Sequence, residues 1–434
     1  MTSLQRPRLD RATGLVGLAA VTRTLGGALL GTSLAVYVGR NGSPVAVSLL
    51  ATAFSLGIIL FAPVWGALAD VTGRRKLILV GTGVGATLAV TPLLVAPSFA
   101  GTVRVGPVAV SAALFPVAIR GLYAAFIAGF GPLMLTVASE RGGADGRGKS
   151  VGSFNSFRAA GAGSGQFVAG LLLGALAPTE LYAVIAAVSA AATVAVALVD
   201  TGDSPPDPDA DSLATEVRTR LLPPAGDRGH LRTNGLGWLY LGLGVRQATV
   251  SGVGALMPVY IVTTLALPEA WMGVLLAFNP VSQTFLMYYL GGVVDDAGRK
   301  PLITLGMAGS AGFGLVVAAA VLAPSRLLTA AVVAVGYVVL AVAYSAMWTG
   351  AVAFVGDVAP ENRESELMGL ASTSRSVGGV VGPLLVGGAA ELAGYPAAFA
   401  AGSVLALGAS LLVGLRVTES APAAVRGGTA SSAD

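Results

Sequence analysis

Five arginines, Arg23, Arg120, Arg158, Arg246 and Arg375, sit inside long apolar runs of this sequence, and no aspartate or glutamate lies at comparable depth. A guanidinium is permanently charged and offers five N–H donors in a planar fork, the geometry that grips phosphate or carboxylate through paired hydrogen bonds. The carboxylates Asp70, Glu140, Glu180, Glu269, Asp295, Asp296, Asp357 and Glu391 stand at or beyond the ends of the runs. An arginine at the centre of a membrane helix costs about 2.5–3.5 kcal/mol on insertion scales unless it faces protein, water or a partner. Two of the five are related through the first and seventh runs. VTRTLGGALLGTSLAVYV at 21–38 answers GVRQATVSGVGALMPVYI at 244–261, pairing Arg23 with Arg246 and Tyr37 with Tyr260. Each arginine lies about ten residues into its run, near the midplane of a spanning helix. Two readings stand: a cavity-facing pair that holds an anion, or arginines bonded to the protein that hold helices together. Gln247, Asn279, Gln283, Tyr288, Tyr344, Trp348 and Asn155 are further polar or aromatic candidates for such a cavity, and interhelical bonding accounts for each of them equally well.

The elements that position these residues follow from composition. Of 434 residues, 54% are hydrophobic and 11% charged, the balance of a membrane protein. Twelve apolar runs are each long enough to cross about 30 Å of hydrocarbon as a helix. They fall near 14–38, 44–69, 77–97, 107–138, 149–176, 179–199, 236–264, 270–294, 302–323, 328–356, 366–390 and 395–416. Alternating strand-length segments of an outer-membrane barrel are not present. The expected fold is an all-α membrane protein with twelve transmembrane helices in two pseudo-symmetric six-helix bundles, 1–199 and 236–417. A polar linker at 200–235 joins them and a flexible tail follows at 418–434. The linker is acidic and Pro-rich, then basic, and reads as a tether; a short amphipathic stretch near Leu213–Leu222 also fits a membrane surface. The first run is too long and too Gly-rich for a cleaved signal, so it is expected to remain.

Charge sets the expected orientation. With the N-terminus in the cytoplasm, Arg6, Arg8, Arg11, Arg74, Arg75, Lys76, Arg141, Arg147, Lys149, Arg299, Lys300 and Arg363 lie inside, and only Arg40, Arg104 and Arg326 outside. Both termini are then cytoplasmic and the membrane is the cell membrane. The same asymmetry explains the net charge of +4 without a nucleic-acid partner. Cysteine is absent and the single histidine, His230, lies in the linker, so no metal site, thiol chemistry or cofactor is expected. No Walker loop and no nucleophile-base arrangement points to a pump or an enzyme.

The two halves repeat when slid by about 220 residues. GALADVTGRRK at 66–76 answers GGVVDDAGRKP at 291–301, pairing Gly66 with Gly291, Asp70 with Asp295, Gly73 with Gly298 and Arg74 with Arg299. GSFNSFRAAGAGSG at 152–165 answers GLASTSRSVGGVVG at 369–382, pairing Arg158 with Arg375, Gly161 with Gly378 and Gly165 with Gly382. Two parallel six-helix repeats with a midplane site are a transporter architecture.

At these residues the chain resembles the major facilitator superfamily over essentially its whole length. The loop after the second run carries that family's G-x-x-x-D-x-x-G-R-[RK]-x signature as Gly66, Asp70, Gly73, Arg74 and Arg75, and the second copy is nearly complete. The resemblance implies that Asp70, Arg74, Asp295 and Arg299 form a cytoplasmic gate. Glu140 with Arg147, and Asp357 with Arg363, flank the facing loops as a charge network. Helix five is similar to the family's antiporter motif through Gly161 and Gly165, with Gln166 where proline is expected; helix eleven keeps Gly378, Gly382 and Pro383. Arg120 resembles the arginine of an R-x-x-x-G motif linked to proton coupling, with Ala124 in place of its glycine. The resemblance implies transport of a small molecule by alternating access across the lipid bilayer, with a proton or counter-substrate as coupling species. Drug or metabolite efflux by antiport is one reading, and transport of an organic or phosphorylated anion by Arg23 and Arg246 the other. A membrane sensor that keeps the fold without transporting is a third.

Overall fold

The computed structural model describes residues 11–95, 102–105, 108–112, 114–202, 212–221, 233–290, 298–360 and 364–420. It divides into two compact units, Met1–Tyr37 with Ala53–Pro224, and Val38–Thr52 with Ala225–Asp434. The first unit holds α1 (Arg11–Asn41, whose last turn belongs to the second unit), α2 (Pro44–Thr72, likewise for its first turns) and α3 (Arg75–Val90). It continues with strands β1 (Thr102–Val105) and β2 (Val108–Ser111), then α4 (Leu114–Ile127), α5 (Phe130–Ala175), α6 (Pro178–Ala197) and the short α7 (Leu213–Leu221). The second unit holds α8 (Leu236–Val259), α9 (Glu269–Leu290), α10 (Arg299–Ala319), α11 (Arg326–Val358), α12 (Glu364–Ala393) and α13 (Tyr395–Arg416).

Among the described residues, ten helices are long and apolar enough to cross a membrane. The fifth and eighth expected spans fall on the later part of α5 and on α9. The protein is thus an all-α membrane protein of twelve transmembrane helices in two six-helix bundles. α4 and the first half of α5 make the fourth span, and the chain bends into the fifth at Gly143, where φ is 60° and ψ is −167°. Only glycine enters that region freely.

One boundary differs from expectation. The run predicted from 107 begins as strand, not helix: β1 and β2 pair antiparallel, with Thr102 opposite Ser111, and helix starts only at Leu114. Alternating valines at 103, 105, 108 and 110 favour a pleated pair, and a hydropathy window does not separate them from a helix.

Helix ends are set locally. Pro178 opens α6, where the Glu180 carboxylate accepts from the Ala177 N–H at 3.0 Å. Ser325 caps α11 by accepting from Leu328 N–H at 3.3 Å. Gly73 and Gly298 occupy the same place in the two repeats and both have positive φ, 66° and 82°. The glycine of the signature loop is therefore a backbone requirement of the turn that starts α3 and α10.

Each unit has its own apolar core near these loops. In the first, Ala20, Leu79, Phe130, Met134, Phe154 and Val196 pack together; in the second, Leu239, Met307, Met347, Phe354, Leu367 and Val413 do so.

Candidate functional site

Arg23, on α1, is buried. Its Nη2 donates to Thr193 Oγ1 on α6 at 3.3 Å, and the guanidinium lies 5.8 Å from the centre of the Phe130 ring. Gly83 on α3 supplies the space: a Cβ there would fall 2.8 Å from Nη2. Arg120, on α4, donates from Nη1 to the Gly27 carbonyl of α1 at 3.2 Å and stacks 4.1 Å from the centre of Phe54. Gly31 makes room for it, since a Cβ there would lie 2.7 Å from Nη2. Arg23 and Arg120 therefore point among the helices of the first unit and tie α1 to α4 and α6, whereas Arg158, on α5, is exposed and lies 5.9 Å from the centre of the Phe154 ring.

In the second unit, Arg246 on α8 is fully buried. Its Nε donates to Ser310 Oγ on α10 at 2.8 Å and its Nη1 to Gln247 Oε1 at 3.4 Å. Arg375 on α12 donates from Nη2 to the Tyr344 hydroxyl of α11 at 3.2 Å and lies 4.3 Å from the centre of the Trp348 ring. Both guanidiniums stand over the Tyr344 ring, at 5.4 Å and 5.5 Å. Two like charges thus share one aromatic ring. Among the described residues, none of the five intramembrane arginines has a carboxylate within ion-pair distance. Buried N–H groups are left over on Arg23 (Nε, Nη1), Arg246 (Nη2) and Arg375 (Nε). The cluster can do one thing chemically: donate several charge-assisted hydrogen bonds to an anion.

The other expected residues are placed differently. Tyr37 packs its ring 5.8 Å from Tyr182, and Tyr260 donates its hydroxyl to the Val317 carbonyl at 2.9 Å while packing on Tyr395 and Phe399. Each tyrosine is fourteen residues from its arginine, about 21 Å along a helix, so neither joins it. Gln283 and Asn279 bond each other on α9 at 2.8 Å. The side chain of Tyr288 lies outside the described residues.

The glycines of the fifth and eleventh spans have a definite use. A Cβ on Gly161 or Gly165 of α5 would collide with the carbonyls of Val21 or Leu25, on either side of Arg23. A Cβ on Gly378 or Gly382 of α12 would collide with the carbonyls of Gly244 or Ala248, on either side of Arg246. The same close seam recurs in each unit, against the very turn that carries the arginine. Pro383 follows on α12.

At the signature loops, the Arg75 guanidinium donates to both oxygens of Glu140, at 2.8 and 2.9 Å. In the second loop Arg299, the counterpart of Arg74, donates from Nε to Asp357 at 3.0 Å. Asp70 accepts from Arg220 Nη2 of α7 at 2.7 Å, and Gly66 lies under that arginine. Arg74 occupies the position before α3 and makes no side-chain capping bond there. Gly291, Asp295, Arg363 and the side chain of Arg147 lie outside the described residues. Three participants were not foreseen. Arg220 belongs to the linker read as a tether or a surface helix, and Glu419 and Ser420 to the tail. Glu419 accepts from the backbone N–H of Arg299 at 3.0 Å and of Lys300 at 3.2 Å, and Ser420 donates to Asp357 at 2.9 Å. No spacing rule links these residues to partners 63 to 150 positions away. Thr193 and Ser310 were likewise invisible among many small polar residues.

Two bundles with repeated signature loops and arginine-bearing helices define a membrane transporter, and comparison with known proteins agrees. The family model of the Major Facilitator Superfamily matches residues 16–336 and 239–432, and the chain belongs to that superfamily. It is an integral membrane protein of a transporter family rather than an enzyme. Comparison with curated proteins finds no match. Solved structures share the fold. The nucleoside transporter NupG is 12% identical, with a TM-score of 0.65 over 94% of this chain and 98% of its own. The human organic anion transporter MFSD10 (TETRAN) is 16% identical, with a TM-score of 0.63 over 94% and 100%. The xylose transporter XylE from E. coli, in an inward-open conformation, is 15% identical, with a TM-score of 0.63 over 95% and 97%.

Proposed function

We propose that this protein is a secondary transporter that carries a small organic or phosphorylated anion across the cell membrane by alternating access, with both termini in the cytoplasm. The observation that carries the reading is the pairing of Arg246 and Arg375 over Tyr344 with leftover buried N–H groups and no carboxylate at hand among the described residues. Burying guanidinium groups without counter-charges is unfavourable by several kcal/mol, roughly, and an anionic cargo offsets that cost. Arg120 and Arg23 hold α1 against α4 and α6 through one bond each, and the leftover Nε and Nη1 of Arg23 are further donors in the first unit.

Antiport is the mode we favour, with a counter-anion or a proton as the exchanged species. Efflux of a drug or metabolite by exchange is the second reading. It is supported by the glycine seams, which bind the antiporter-like motif of α5 and α12 to the helices that carry Arg23 and Arg246.

The test is uptake of radiolabelled phosphate esters and dicarboxylates into proteoliposomes by Arg246→Gln and Arg375→Gln, each compared with the parent chain at matched melting temperature. Anion flux should fall at least tenfold in both, the loss expected when a charge-assisted hydrogen bond worth about 1.5–3 kcal/mol is removed from bound cargo. Unchanged anion flux in both variants overturns the anion reading. Exchange of a neutral or cationic compound that survives both substitutions would favour the efflux reading.

A further inference from the structure

Along an exposed face of the second unit, α8, α12 and α13 leave a groove of about 530 Å³. Leu241, Val377, Leu385 and Leu405 form its half-exposed walls, and Gly244 and Gly378 its floor. The groove exists because the floor lacks side chains: α8 and α12 touch backbone to backbone there, and the neighbouring leucines and valines rise on either side. It is almost wholly apolar. At the end where α8 begins, Leu241 also lines a second pocket, to which Asn234, Trp238, Arg416 and Thr418 bring polar groups.

That pocket is held in shape by the backbone. Thr418 N–H donates to the Asn234 carbonyl at 3.1 Å, joining the residue after α13 to the start of α8. Gly235, with φ of 78°, lies so close to the Arg416 carbonyl that a Cβ would collide with it. Above this join the Arg416 guanidinium stands 5.5 Å from the centre of the Trp238 ring. Among the described residues Arg416 has no carboxylate partner.

Length and polarity together identify an occupant. From Gly237 to Thr249 the lining runs twelve residues along α8, about 18 Å at 1.5 Å per residue, somewhat more than half of a 30 Å hydrocarbon core. A groove that is apolar for the depth of one leaflet and ends in an aromatic ring and an uncompensated cation has the pattern of a single lipid molecule. Tryptophan sits at headgroup level in membranes, and basic pockets between spanning helices take acidic headgroups. A partner helix, about 10 Å across with its side chains, does not fit a channel whose depth is the absence of a few side chains. We propose that this composite groove is a binding site for one anionic phospholipid, its phosphate on Arg416 beside Trp238 and one acyl chain along α8 between α12 and α13. Ser374 and Gly378 lie on either side of Arg375 in sequence, and Val245 and Ala248 on either side of Arg246, so the lipid lies on the back of the seam that carries both arginines.

The site is tested without reference to transport. The full chain, purified in detergent with equal amounts of phosphatidylglycerol and phosphatidylcholine, is examined by native mass spectrometry for retained lipid. The parent chain should retain phosphatidylglycerol over phosphatidylcholine by about fivefold, the factor that one basic residue near an acidic headgroup contributes. Arg416→Gln should abolish that preference and Arg416→Lys should keep it. Val377→Trp, which fills the groove from an exposed wall, should lower retention of both lipids. Equal retention of the two lipids by the parent chain makes the groove an ordinary lipid contact and overturns the proposal. So does an undiminished preference in Arg416→Gln, or unchanged retention in Val377→Trp.

Discussion

Gly83 stands where the Arg23 guanidinium and the Thr193 hydroxyl already meet, 2.8 Å and 2.7 Å from where a Cβ would be. Gly83→Val should therefore overpack the first unit and cost about 1–3 kcal/mol. Arg23→Met in the same chain should recover part of that loss, because a shorter, uncharged side chain vacates the space. A double-mutant cycle read by thermal melting measures the coupling, and purely additive effects would mean that Arg23 does not occupy that corner. The arginine itself was legible in the sequence, since a charge in an apolar run and its twin 223 positions on need no structure to be seen. Its partner was not. Thr193 is 170 residues from Arg23, and Ser310 is 64 from Arg246, and each is one of many small hydroxyls on apolar helices. Sequence reading left open whether Arg23 faces a cavity or holds helices, and the answer depended on which way a helix is turned. That is fixed by glycines on neighbouring helices whose contacts no periodicity reveals.

The spanning helices were legible because the bilayer dictates their length and their apolar content. The exceptions are the three short elements that answer to neither. β2 is apolar enough to merge into the run predicted from 107, yet its alternating valines pair with those of β1 as strands. α7 has nine residues, fewer than the ~12–15 that a helix needs to stand alone in water, so its order depends on what it touches. The touching group is Arg220 on Asp70, supported by Arg220 on Glu216 one turn earlier at 3.4 Å. Arg220→Ala should leave the melting temperature nearly unchanged, because exposed ion pairs contribute only about 0–1 kcal/mol. It should nonetheless speed amide hydrogen exchange throughout Leu213–Leu221. If those amides exchange at the parent rate, Arg220 is not the anchor of α7.

At the scale of the molecule, each unit is fastened near its signature loop by the segment that follows its last spanning helix. In the first unit the linker brings Arg220 to Asp70; in the second the tail brings Glu419 to the first turn of α10. Around them the repeat holds in part: Gly73 answers Gly298, and each loop carries one arginine–carboxylate pair, Arg75 with Glu140 and, one position earlier in the repeat, Arg299 with Asp357. The two fastenings are chemically unlike, and this sets their relative strength. Arg220 and Asp70 are exposed side chains that water also solvates. Glu419 instead accepts two half-buried backbone N–H groups at a helix N-terminus, donors that α10 cannot satisfy from within, and its charge also complements the helix dipole there. Glu419→Ala should therefore destabilise the protein by about 1–3 kcal/mol, the cost of leaving buried donors unpaired. Glu419→Gln should recover part of this, since its carbonyl oxygen still accepts one bond but lacks the charge. The order of thermal melting, parent above Glu419→Gln above Glu419→Ala, with Arg220→Ala close to the parent, checks the assignment. Equal losses for Glu419→Ala and Arg220→Ala would show that the tail does no more than the linker, and that the α10 donors are satisfied by some other group.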